Sequence, residues 1–142
     1  MSIGDARIIR PEGWAPPRGY SDGMVASGRY VALAGQIGWN PVRGEIETDD
    51  FAAQTEQALR NIAKLLSEAG GEPSHLVRLT WFVTSRDEYV RARKAVGVAY
   101  RSIIGAHFPP MSVIVVAGLL EPRAKVEIEA TAVLPPDAGP TG

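Results

Sequence analysis

Cysteine is absent from the 142 residues, and with it go disulfides, thiolate nucleophiles and sulfur-ligated metal centres. That absence fits a reducing compartment. No window approaches the ~20 apolar residues of a membrane span. The opening MSIGDARIIRPEG carries charges where a signal peptide needs an apolar run, so a cytoplasmic protein with no membrane partner is expected. An excess of charge of one sign is also missing. Fifteen basic and sixteen acidic residues give a net charge of −1 and form no like-charged block, so nucleic acid and anionic membranes are not predicted partners.

Histidine is scarce. His75 and His107 are the only two, they lack ligand spacing, and each lies beside a turn, which favours boundary positions over catalysis or metal binding. No metal motif is present. Nor does a glycine-rich phosphate loop join a strand to a helix, since the AGG of 69–71 follows a helix, and no nucleophile-elbow pattern occurs.

What is present is an ordinary globular balance, 45% hydrophobic and 22% charged, in a length that suits one domain with its own core. The first twenty residues are rich in Pro and Gly and read as loop, with Ile8 and Ile9 as a short edge strand. Two apolar runs in DGMVASGRYVALAGQIG flank SGR and predict a hairpin. NPVRGE at 40–45 predicts a second turn. From Asp50 the period becomes helical through Phe51, Thr55, Ala58, Ile62, Leu65, Leu66 and Ala69. Asp49 or Asp50 can cap that helix, and Gly70-Gly71 stops it.

LVRLTWFVT at 76–84 reads as a strand. SRDE at 85–88 reads as a capping box opening a second helix to Gly105. An apolar strand over 111–119 follows, EPRA at 121–124 turns, and AKVEIEATAV at 124–133 alternates. Val126, Ile128, Ala130 and Ala132 share one face of it, and Glu127, Glu129, Thr131 and Val133 the other.

The order β-β-α-β-α-β-β predicts an α+β domain with both helices on one sheet face. Strand 111–119 is apolar on both sides. In 76–83, Val77, Leu79, Trp81 and Val83 stand opposite Leu76 and Phe82. Two helices leave the second face uncovered and too apolar for water, which predicts self-association.

Among the tryptophans, Trp81 reads as core or interface and Trp14 as loop, while Trp39 at a strand end is a candidate for stacking on a ligand. Glu127 and Glu129 are either a wet strand face or, if that face is covered by a second copy, groups needing a partner or a function.

In order and spacing, GYSDG, ALAGQIGWNP, AAQTEQALRNIAKLLSEAGG, VRLTWFVT, FPPMSVIVVAGL and AKVEIEATAV resemble the RidA/YjgF superfamily of reactive-intermediate deaminases. The resemblance covers 18–134, leaving 1–17 as an N-terminal loop and 135–142 as a loose tail. It implies a chorismate-mutase-like fold and a homotrimer binding a small metabolite in clefts between subunits. It also implies hydrolysis of 2-imino acids or their enamine tautomers to 2-keto acids and ammonia, with no metal and no organic cofactor. By position, the glutamate that activates water is Glu127. Tyr20 and the Gly35-Gln36 stretch shape the cleft, joined by Trp39, Met111 and Val113, and Glu129 is structural.

One departure stands out. Active members carry an arginine where this chain has Met111, and Met111 cannot pair with a carboxylate. Losing a buried contact of that kind costs about 2–5 kcal/mol. Val113 replaces a residue that is often small or polar. The substrate expected is therefore not the usual small 2-imino acid, with Arg18, Arg78 or Arg123 as replacement cations. The alternatives are a non-catalytic binding trimer with Met111 as a soft wall and, third, RNA cleavage or translation inhibition.

Overall fold

The computed structural model describes residues 6–136. Its elements run β1 (Arg7–Ile9), β2 (Gly23–Val25), β3 (Arg29–Ile37), β4 (Trp39–Asn40), β5 (Glu45–Ile46), α1 (Phe51–Glu68) and β6 (Leu76–Val83). Then follow α2 (Arg86–Ile103), β7 (Met111–Val115) and β8 (Val126–Leu134). The main sheet has the order β3-β8-β6-β7, with β7 parallel to β6 and the other neighbours antiparallel.

Local chemistry places both helices. The Asp50 carboxylate accepts the Ala53 N–H at 2.8 Å and starts α1. At its end Gly70 takes φ +83°, Gly70 N–H donates to Ser67 O at 3.0 Å, and Gly71 N–H donates to Leu66 O at 2.8 Å. This is a Schellman stop that only glycine enters without strain. Ser85 caps α2 by accepting from Glu88 N–H at 3.1 Å. The Glu88 carboxylate does not close the box; it pairs with Lys125 Nζ at 2.8 Å.

Phe51, Ala58, Leu59, Ile62 and Leu66 of α1 meet Leu79, Trp81, Val83, Val126, Ile128, Ala130 and Ala132 in one core. Burying each larger side chain contributes about 1.5–3 kcal/mol. Both helices thus cover one face of a mixed sheet, the α+β arrangement expected. The other face carries Thr131, Val133, Glu127 and Glu129 with Phe82 and Ile114, and Tyr30 on it is 69% exposed.

Four expectations are corrected. The runs flanking SGR form no hairpin: β2 pairs with β1, and β3 pairs with β8. Gly28, at φ +143°, sits where a Cβ would run into the Leu134 carbonyl, so the chain there is seated on β8 and not folded back on β2. The strand at 111–119 stops at Val115, because its partner β6 ends at Val83, just before the Ser85 cap turns the chain into α2. Leu76 is buried on the same side as Leu79, because a bulge at Val77 shifts the alternation. EPRA turns at Ala124 N–H to Glu121 O, 3.0 Å, but β8 lies beyond β6 from β7. Ile8 and Ile9 do form an edge strand. The tail from 137 onward lies outside the described residues.

Candidate functional site

On the open face, Glu127 is held between Phe82 of β6 and Ile37 of β3. Its carboxylate lies against Gly35, where a bulge sets three steps of β3 against two of β8. A Cβ at position 35 would stand 2.7 Å from Glu127 Cδ, so glycine is what lets the carboxylate lie on the backbone. Glu127 is half-buried and has no hydrogen-bond or ion-pair partner among the described residues. Glu129 is exposed.

The helix side of the sheet edge holds a cavity of about 450 Å³ between α2, β6, β7 and the loop at 18–20. Tyr20, Met111 and Val113 line it together. The loop is fastened by Ser21, which is buried, donates its hydroxyl to Phe108 O and its N–H to Pro109 O at 3.3 Å. Met111 packs against the core beside this cavity. An aromatic wall backs it: Tyr100 stacks on Phe108 at 5.5 Å and 14° and lies 6.5 Å from Trp81. The Tyr100 hydroxyl donates to His107 O at 2.6 Å, and burial pushes its phenol above the ordinary range. Trp81 is 4% exposed, and its indole N–H is buried without an acceptor.

Residues not named as site candidates from the sequence complete the cavity: Tyr89, Arg93, Gly97 and Arg101. They recur every four positions, so one ridge of α2 presents all four. The spacing is readable, but the apolar positions 89, 92, 96, 99, 100 and 103 define the helix's apolar stripe, and positions 93, 97 and 101 beside it look like solvated surface. Of the candidate replacement cations, Arg18 reaches the cavity. Arg78 lies elsewhere, beside Tyr30 and Thr131. Arg123 is engaged, donating to Asp49 at 2.9 Å and to Ile46 O at 2.6 Å.

The remaining predicted residues separate. Gln36 turns back to donate to Ala34 O at 3.1 Å. Trp39 lines a different depression with Glu45, Glu121 and Arg123. His75 accepts Glu72 N–H at 3.0 Å, and His107 Nε2 meets Leu76 O at 2.7 Å, both structural placements. Among the described residues no group of three or more His, Asp or Glu could hold a metal ion, and no helix is long and apolar enough to cross a membrane.

Much of the most recognisable sequence turns out to be scaffold. Gln54, fully buried, donates to Thr48 O (2.9 Å) and Arg123 O (3.1 Å) and accepts from Lys125 N–H (2.8 Å). Asn61 donates to Trp39 O at 3.1 Å. A Cβ at Gly38 would lie 2.5 Å from Gln54 Cα, so that glycine admits the α1 backbone.

Comparison with known proteins gives a consistent picture. A family model described as endoribonuclease L-PSP matches residues 12–134. Protein DfrA of Myxococcus xanthus is 35% identical over 110 residues, 78% of this chain and 80% of that protein. The 2-iminobutanoate/2-iminopropanoate deaminase of Escherichia coli strain K12 is 34% identical over 112 residues, covering 77% of this chain and 83% of that one. The crystal structure of YyfB from Yersinia pestis, a protein of unknown function of the conserved Rid family, superposes with a TM-score of 0.78. It is 37% identical and covers 92% of this chain and 99% of its own.

Proposed function

Because the chain belongs to the RidA/YjgF superfamily, we propose that it is a hydrolytic deaminase of a reactive imine or enamine, acting in clefts shared between copies of the chain. One observation carries the reading. Glu127 stands on the open sheet face with no partner among the described residues, while Tyr20, Met111 and Val113 line a cavity on the helix side. Each is half a site, and a second copy set against the open face would join them. Repeated around a closed ring, that contact covers the apolar face; the resemblance favours three copies.

The chemistry needs water alone. An enamine first shifts a proton to become the imine. The Glu127 carboxylate accepts a proton from water as the water oxygen bonds to the imine carbon, and hands that proton to the imine nitrogen. The resulting carbinolamine expels ammonia: the C–N bond breaks and the C=O bond forms as the same carboxylate carries the hydroxyl proton to the departing nitrogen. Met111 offers no charge, so the usual small 2-imino acids are poor substrates here. A binding-only reading is favoured by that same thioether, and RNA cleavage ranks third in a chain of net charge −1.

The test is a deaminase assay with freshly generated 2-iminopropanoate and larger imino acids, trapped with semicarbazide. Activity in the wild type that Glu127→Gln abolishes supports the reading. A wild type silent on every imine, even after Met111→Arg, sinks it in favour of binding alone. Light scattering checks the assembly, and a stable monomer would remove the shared cleft.

A further inference from the structure

The cavity beside Met111 carries more charge than its sequence position suggests. Arg18, Arg93 and Arg101 line it, and no aspartate or glutamate does. None of the three has a carboxylate partner among the described residues. Arg93 lies over the Tyr89 ring at 5.9 Å. The Arg101 guanidinium folds back toward Gly97, where a Cβ would sit 3.4 Å from Nη2. A glycine within α2 costs about 1 kcal/mol relative to alanine, and here it keeps the wall open beside a cation.

Three unpaired guanidiniums around one concave site focus a positive field on it, and their planar forks suit a carboxylate. The opposite wall is apolar and aromatic: Trp81, Tyr100 and Phe108 form a continuous run of rings next to Met111. Size points the same way. A three-carbon imino acid has six heavy atoms; at the ~30 Å³ that a water occupies in the liquid, these fill less than half of the 450 Å³.

We infer that this cavity binds a carboxylate carrying an aromatic side chain, its acid group held by Arg93 and Arg101 with Arg18, so that α2 and the N-terminal loop supply the cation that position 111 lacks. The reacting imine rests on the deaminase reading; the acid and the aromatic body rest on the cavity itself.

The test measures binding by calorimetry on the full chain, with stable keto acids so that turnover does not enter. Phenylpyruvate is the probe, pyruvate tests the need for the ring, and phenylacetone tests the need for the acid. The expected result is phenylpyruvate binding at least tenfold tighter than either. Arg93→Gln and Arg101→Gln, both exposed positions, should each weaken it about tenfold or more, and Gly97→Ala should weaken it through the narrowed wall. Equal affinity for pyruvate and phenylpyruvate in the wild type overturns the inference. So does an Arg93→Gln/Arg101→Gln double variant that binds like the wild type, or displacement of the probe by inorganic phosphate at equal concentration. Aromatic keto acid binding without turnover of any imine removes the deaminase reading and leaves the inference standing. Turnover indifferent to the arginines does the reverse.

Discussion

The two faces of β8 are made by nine consecutive residues and do opposite work. Toward the helices, Val126, Ile128, Ala130, Ala132 and Leu134 are sealed in the core. Toward the open face, Glu127 is half-buried and Glu129 exposed, one strand step to either side of Ile128. A period of two lets one strand hold the fold with one set of side chains and offer chemistry with the other. The difference between the faces lies in what covers them. Within one chain, α1 and α2 cover one face, and among the described residues no helix covers the other, which has only β1 and β2 beside its Tyr30–Val133 end.

Substitutions at neighbouring positions should therefore have unlike consequences. Ile128→Ala removes a side chain of 0% exposure and should cost about 2–5 kcal/mol, while Glu129→Ala should stay within about 0.5 kcal/mol in chemical denaturation. Equal effects would mean that the open face is sealed as tightly as the core.

The two glycines of GQIG sharpen the contrast. Gly38→Ala drives a Cβ onto the Gln54 backbone and should destabilise by roughly 1–3 kcal/mol. Gly35→Ala meets the Glu127 side chain from Cγ outward, which must swing away to admit the new Cβ. It should lower turnover far more than melting temperature. A melting loss at Gly35 as large as that at Gly38 would make the Glu127 contact structural.

Gly97→Ala should act in the other direction, raising stability by about 0.5–1 kcal/mol through helix propensity while narrowing the cavity. Thermal melts and ligand titration on the same sample separate the two effects. The smallest effect is on pH. Burial raises the Tyr100 phenol, so the unfolded chain gives up this proton near pH 10 while the folded chain keeps it higher. Its contribution is intact below about pH 10 and is lost as pH rises further. The fall in melting temperature between about pH 9 and about 11 should be smaller in Tyr100→Phe.

Legibility followed the range of the interactions. Both helices are readable because cap and stop closely flank a periodic run of eighteen residues. SGR reads locally as a hairpin turn, but β3 takes its partner from β8, about a hundred residues on, and no local turn signal reports that. The apolar pattern overextends β7 because apolar residues continue past Val115, where β6 no longer offers a backbone to pair with. Among the site residues, Glu127 and Gly35 are named by the family resemblance, and their contact follows from the bulge that sets one against the other. Arg93 and Arg101 were passed over, since the i, i+4 ridge they share with Tyr89 and Gly97 has no meaning until β7 and the loop at 18–20 are laid beside it.

By itself the sequence determined the helices and their caps, the inward and outward faces of β8, and the absence of thiol chemistry, because each depends on residue type and spacing along a few turns of chain. The tertiary structure alone decided which strands are neighbours and that Met111 and Glu127 face opposite sides of the sheet. It also decided that three arginines line one cavity with an aromatic wall. Those outcomes depend on which distant segments bury one another, a choice made by the packing of the whole core.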